Sequence, residues 1–395
     1  MVSLLRRTMM LSATAGAAIG SKPAGGTEAD VSNPGPDNSS LLRQFPDSYD
    51  PPGTDHGDVP NLWFPFAQAH RRIQPGGWSR QVTVQDFPIA KSIAGVNMRL
   101  TAGGVRELHW HLPAEWAFML TGHAQITAMD QDGHRFVANV GPGDLWNFPS
   151  GIPHSIQGLA PDGCEFLLAF DDGKFSEFDT FSISDWSAHT PKEVLAKNLG
   201  IDKSQLGQLP NKELYIFQGN VSSASPTRPS EAGVAATSFD FSLGAKPADI
   251  QRKGGTVRIA DSHNFPAAST IAAALVELQP GGLRELHWHP NADEWQYWIS
   301  GRARMTAFSA GSRARTFDFH AGDVGYVPRG MGHYVENTGS GIVRYLELFN
   351  SSYYADLSLT DWMAQTPHDL VAQHLGLSIA TLDDLPKEKQ GIVPA

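Results

Sequence analysis

A single cysteine, Cys164, in 395 residues rules out an internal disulfide and any thiolate metal cage. It reads as a small buried apolar residue. Basic residues are scarce too: 30 Lys and Arg against 41 Asp and Glu leave a net charge of −11 at pH 7. That balance excludes a nucleic-acid partner or an anionic membrane surface, either of which needs a basic face. It also means that the field of the whole molecule repels anions, so an anion site must build its own positive field. The apolar run at residues 9–19 is too short to cross a bilayer as a stable helix.

What is abundant points to strands and turns. With 39 Gly, 27 Pro, 41% hydrophobic and 10% aromatic residues, the composition is that of a soluble protein built from short strands. The length fits two domains. Arg6 and Arg7 precede the apolar run, and residues 21–30 are polar, the layout of an export signal. Adjacent arginines there point to the twin-arginine route, and to a periplasmic or extracellular protein with no membrane contact after export. Residues 1–30 are thus read as the signal region and 31–60, rich in Pro, Gly, Ser and Asp, as an extended arm.

The chain then repeats itself. Arg106-Glu107-Leu108-His109-Trp110-His111 returns letter for letter as Arg284-Glu285-Leu286-His287-Trp288-His289. Gly143-Asp144 through Pro149 and His154 returns as Gly322-Asp323 through Pro328 and His333. Asp185-Trp186 with Thr190-Pro191 returns as Asp361-Trp362 with Thr366-Pro367. Three ordered blocks make two copies of one domain. We place the first at 61–219, a Ser/Pro/Ala-rich linker at 220–236 and the second at 237–395. Runs such as 116–120, 125–129 and 166–170 read as strands. Thr190-Pro191-Lys192-Glu193 resembles a capping box with proline at the first helical position, and Gly200 a helix stop. Thr366-Pro367-His368-Asp369 and Gly376 repeat that signal. The expected architecture is all-β, two antiparallel barrels each with a helical appendage.

Two imidazoles two residues apart on a strand share one face, so His109 and His111 can share an ion. Glu115 follows a turn at Pro113, and His154 arrives from far downstream. The second copy offers His287, His289, Glu294 and His333. Three neutral nitrogens and a carboxylate suit a borderline divalent ion, and an octahedral one keeps two positions open for chemistry.

These residues carry a family resemblance. Gly103-x5-His109-x-His111-x3-Glu115-x6-Gly122 and Gly281-x5-His287-x-His289-x4-Glu294-x6-Gly301 resemble the first cupin motif. Gly143-x5-Pro149-x-Gly151-x2-His154 and Gly322-x5-Pro328-x-Gly330-x2-His333-x3-Asn337 resemble the second, with Gly158 standing where the family carries Asn. The repeated hexapeptide is similar to that of bicupin oxalate decarboxylases, over roughly residues 60–390. The resemblance implies duplicated jelly-roll barrels, one manganese in each (two per chain), dioxygen as co-catalyst, and a trimeric or hexameric homo-oligomer. It implies oxalate as substrate, split to formate and carbon dioxide.

The carbon–carbon bond of oxalate has no adjacent electron sink, and the chain shows no Ser-His-Asp or Cys-His arrangement. A redox metal instead withdraws one electron, carbon dioxide leaves, and the remainder takes back an electron and a proton. Arg106 and Arg284 match the family's oxalate-binding arginine, whose planar fork suits a carboxylate. Strict alternation turns Arg106 away from the face of His109, so this role requires a bulge. Trp110 and Trp288 also alternate outward, to outer-face packing or, as the resemblance suggests, an electron relay between subunits. The family's loop glutamate corresponds to Glu177 in Ser176-Glu177-Phe178-Asp179-Thr180, where Phe178 and Asp179 depart from the family pattern. A carboxylic acid there delivers the proton that makes formate. Glu347 matches a glutamate near the second metal, as a second acid or as a structural neighbour. Competing readings are an oxalate oxidase giving carbon dioxide and hydrogen peroxide, and a non-enzymatic bicupin storage or metal-binding protein. A flavonol dioxygenase would not need Arg106, and a zinc isomerase would need neither Arg106 nor Glu177.

Overall fold

The computed structural model describes residues 37–221 and 235–395. The proposed signal region, the start of the arm and most of the linker lie outside the described residues. Each copy is a jelly-roll pair of antiparallel sheets. In the first, one sheet runs Asp240–Phe241, Leu145–Phe148, Glu115–Gly122, Cys164–Phe170, Ala94–Leu100, Gly77–Val82, Arg72–Gln74. The facing sheet runs Phe181–Ser182, Gly104–Trp110, His154–Gly158, Ala124–Met129, Arg135–Val140, with Ile216–Gln218 also paired to Gly104–Trp110. The second copy repeats this plan from Ile250–Arg252 to Ile392–Val393.

The two barrels exchange strands. Asp240–Phe241, which opens the second copy, pairs with Leu145–Phe148 of the first, Asp240 opposite Trp146. Trp63–Pro65, which opens the first copy, pairs with Asp323–Val327 of the second, Trp63 opposite Gly325. The apolar core is continuous across the junction. An added Cβ on Gly95 would lie 2.4 Å from the indole of Trp295 in the other barrel, so only glycine lets these backbones approach. Cys164 is buried, as expected, and burial pushes its thiol up to about 12.

Two expectations need correction. The arm is not extended throughout: it contains short helices at Ser39–Gln44 and Pro46–Tyr49. Asn38 accepts the Leu41 N–H at 3.1 Å and so opens the first, and proline at the first turn favours the second. From Asp47 onward the arm lies on the second barrel, where Asp47 takes both Arg304 nitrogens and His56 bridges Ala314. The expected capping boxes do not form either. Thr190 and Thr366 turn their hydroxyls back to Trp186 O and Trp362 O, each at 2.8 Å. Pro191 and Pro367 then occupy the cap position itself, ahead of Lys192–Leu199 and His368–Leu375. Both helices stop, as expected, at left-handed Gly200 and Gly376.

Candidate functional site

His109 and His154 stand directly opposite one another on paired strands, and His111 follows one residue after the strand ends. Glu115 opens Glu115–Gly122, a strand of the opposite sheet. The four converge at one end of the barrel, all buried, with one ligand atom from each within 4.8 Å of the others. His287, His289, Glu294 and His333 repeat the cluster.

The donor chemistry demands a cation. Every imidazole uses Nδ1 on a backbone carbonyl: His109 to Glu107, His111 to Pro113 and His154 to Ile152 at 2.6–2.8 Å. His287, His289 and His333 do so with Glu285, Ala355 and Met331 at 2.6–3.1 Å. Nδ1 therefore carries the proton, and each Nε2 presents a bare lone pair. Those lone pairs face carboxylate oxygens: Glu115 Oε2 lies 3.1 and 3.3 Å from His111 and His154. Glu294 Oε2 lies 3.0 and 2.9 Å from His289 and His333. Lone pairs at that separation repel unless an ion lies between them. Edges near 3 Å suit donors at right angles about an ion with bonds of about 2.1 Å.

The carboxylates are aimed differently in the two copies. Trp146 Nε1 donates to Glu115 Oε1 at 3.0 Å. In the second barrel Gln296 Nε2 donates to Glu294 Oε1 at 2.7 Å. Gly325 stands at the position of Trp146, and a Cβ there would lie 2.2 Å from the Gln296 amide oxygen. Each copy thus supplies one donor and clears the space the other would take.

The bulge that Arg106 requires is present. Between Arg106 and His109 one strand advances three residues while its partner advances two, from Ile156 to His154. Arg284 and His287 show the same slip. Arg106 and Glu107 are consequently both buried. Glu107 and Glu285, which the sequence reading passed over, hold the segments that close each barrel. Glu107 accepts the N–H groups of Ser184, Leu214 and Tyr215, and Glu285 accepts the Ser358 O–H and the Gly391 N–H. Their presence inside the repeated hexapeptide was the available signal. Gly158 has a local reason as well, since a Cβ would lie 2.4 Å from Thr101 O.

The two arginines differ in what they meet. Arg106 gives Nη1 to Tyr215 O at 3.1 Å, and among the described residues no carboxylate comes within ion-pairing distance. Eleven residues, 171–181, connect Phe170 to Ser182 above it, including a short 3-10 turn at Glu177–Asp179. Glu177 folds inward and is buried, and burial raises its carboxyl against the opposing pull of Arg106. Phe178 points outward, 74% exposed. In the second barrel the connection is only eight residues, 350–357, and it is closed onto the arginine. Arg284 Nη2 donates to Asp356 Oδ2 and to Tyr354 Oη, both at 2.6 Å. Its Nε lies 3.5 Å from Glu347, whose carboxyl burial raises although Arg284 opposes it. Lys389 also pairs with Asp356, and His289 is tied to the same loop through Ala355 O.

Trp110 stacks on Phe181 at 5.5 Å and meets Trp186 edge-on, while Trp288 meets Trp362 edge-on at 5.7 Å. Both lie on the outer faces, as alternation requires.

A family of known proteins shares this plan. The cupin family matches residues 65–206 and again 241–383. The chain is 51% identical over 361 residues to an oxalate decarboxylase of Bacillus subtilis, covering 91% of this chain and 93% of that one. It is 43% identical to a probable oxalate decarboxylase of Arthroderma benhamiae, covering 87% and 85%. A solved structure of the Bacillus subtilis oxalate decarboxylase superposes with a TM-score of 0.88 over 91% of this chain and 94% of that one, at 50% identity. Another structure of that enzyme, with a TM-score of 0.87, accompanies a study of its Mn(II) centres. With two matched cupin repeats and relatives alike over nearly their whole length, the chain belongs to the bicupin oxalate decarboxylase family.

Proposed function

We propose that this protein converts oxalate to formate and carbon dioxide, and that the first barrel carries the turnover. One observation supports that choice above the others: among the described residues the first barrel alone places an arginine with no ion-pair partner beside a buried carboxyl group whose hold on its proton burial strengthens. Manganese held by His109, His111, Glu115 and His154 would supply one-electron redox chemistry there, with dioxygen as co-catalyst. The chain's own residues do the rest. Arg106 binds one carboxylate of the substrate and supplies the local positive field that the net charge of −11 withholds. The loop over 171–181 excludes water from the chamber. Burial strengthens the hold of Glu177 on its proton, and its carboxyl group is the acid that gives a proton to the carbon that carbon dioxide has left. In the second barrel Arg284 is already satisfied by Asp356 and Tyr354, so that site holds its ion without an anion receptor. Glu347 acts there as a neighbour of Arg284 rather than as an acid.

Formate, hydrogen peroxide and dioxygen uptake measured together on oxalate test the reaction. Formate in near-equal amount to oxalate consumed is expected; peroxide as the main product would make the protein an oxidase, and no turnover would leave a storage or metal-binding role. Manganese-replete protein should contain two ions per chain. His154→Ala should remove one and leave the His287, His289, Glu294, His333 ion in place, because each cluster is enclosed by its own barrel. Metal analysis finding one ion or none in the parent protein would defeat the assignment.

The exposed apolar side chains Leu286, Phe308 and Trp362 on one outer face suit contact with further copies, so a trimer or hexamer is proposed, checked by light scattering. Export through the twin-arginine route is proposed from Arg6 and Arg7. Replacing both by lysine should leave the protein in the cytoplasm; continued export would sink the route.

A further inference from the structure

Glu177 is held inward by two contacts from one strand. Its N–H donates to Gln81 Oε1 at 3.1 Å, and its Oε2 lies 2.7 Å from Ser79 Oγ. Ser79 is itself 2.5 Å from the hydroxyl of Tyr215. Residues 79 and 81 are two apart on Gly77–Val82 and so share the face that looks at the loop.

Tyr215 is a fixed anchor. Its N–H donates to Glu107, its carbonyl accepts from Arg106, and the guanidinium carbons of Arg72 and Arg106 lie 3.5 and 4.3 Å from its ring centre. Arg72 is held in turn by Glu213 at 3.0 Å. Tyr215 also has φ of 60°, a left-handed backbone that disfavours any side chain and bulky ones most. A strained tyrosine persists where its side chain is needed.

The duplication supplies an internal control. Ile216 pairs opposite Arg106 and Ile392 opposite Arg284, so Gly391 is the counterpart of Tyr215. Gly391 has φ of 67°, the same backbone made comfortable by glycine. Gly77 pairs with Leu100 as Gly255 pairs with Leu278, so Val257 is the counterpart of Ser79. The loop itself differs in length, eleven residues against eight: counted back from Ser182 and Ser358 Glu177 falls at Tyr353, and counted forward from Phe170 and Phe349 it falls at Asp356. The second barrel therefore lacks the serine hydroxyl and the tyrosine together, and its own loop carboxylate, Asp356, is paired with Arg284 instead of being tethered to a strand.

We infer that Ser79, anchored by Tyr215, is a positioning residue that holds the Glu177 carboxyl inside the first barrel during turnover, and thereby sets how much oxalate becomes formate rather than peroxide. The inference rests on Glu177 being the proton donor. A carboxyl group without this tether is free to turn toward solvent, where the neighbouring Phe178 side chain already lies, and the substrate-derived carbon is then oxidised by dioxygen, which is reduced to peroxide, instead of being protonated.

The test compares Ser79→Ala, Ser79→Thr and Tyr215→Phe in the manganese-loaded full chain, reading formate, peroxide, KM and metal content. Ser79→Ala should lower kcat for formate about tenfold, the scale of one hydrogen bond to a carboxyl group. KM should stay within about twofold, the peroxide share should rise, and two ions per chain should remain. Ser79→Thr restores the hydroxyl and should recover most of the formate, which a mere packing role for Ser79 would not require. Tyr215→Phe keeps the ring and should shift the product ratio the same way, to a smaller extent. Parental rate and product ratio in Ser79→Ala overturn the inference. If Ser79→Ala fails to fold, Tyr215→Phe decides, and a parental ratio there overturns it too. A parent protein that makes no formate would instead defeat the reaction itself, so the two failures are distinguishable.

Discussion

Glu177→Gln is expected to cut formate production by about 100-fold, the usual scale for losing a positioned acid. The amide keeps the shape and a contact to Ser79 but has no acidic proton to give. Residual turnover should shift toward peroxide. The parent should also show a pH dependence whose sign follows from burial. Burial raises the Glu177 carboxyl above its ordinary value, so the proton-bearing form persists above the usual carboxylate range. Formate kcat should then fall as pH climbs through that raised value, and Glu177→Gln should lack this limb. A variant with parental formate yield would show that the acid lies elsewhere, with Glu347 the next group to examine.

The second large effect separates two arginines that are identical in sequence context. Arg106→Ala should lower kcat/KM for oxalate by about 100-fold or more, since it strips a buried carboxylate of its partner. Arg284→Ala should leave kcat/KM within a few-fold. Its effect should fall on stability, by about 3–5 kcal/mol, because Glu347 is left buried without its cation and Asp356 keeps only Lys389. Steady-state kinetics and denaturant melts on the two variants check both statements. Equal loss of turnover in both would remove the reason for placing catalysis in the first barrel.

The metal cluster was legible in the sequence because its logic is local and repeated. His109 and His111 are fixed by strand alternation, and Glu115 and His154 by their return in the second copy. The bulge at Arg106 could be demanded by the chemistry but not located, since a bulge depends on the partner strand. The asymmetry between the barrels was not legible at all. Asp356 and Tyr354 reach Arg284 from 72 and 70 residues away, and Ser79 meets Glu177 across 98. No spacing rule connects such positions; only the closed fold does. The capping signals failed for a related reason. Thr190 and Thr366 found acceptors at the end of the preceding helix, at Trp186 and Trp362, before they could serve the next one.

The exchange of opening strands also says what kind of object this chain is. Trp63 lies opposite Gly325 and Asp240 opposite Trp146, equivalent partners in equivalent register. That reciprocity is the signature of a two-fold, isologous dimer in which each subunit lends its first strand to its twin. Here both subunits belong to one polypeptide. Fusion freed the halves to diverge while the loan kept them inseparable: a half cut away would bare an unpaired sheet edge, a template for aggregation. One half could keep its arginine clear of carboxylates among the described residues and the other could pair its own, because neither had to stand alone.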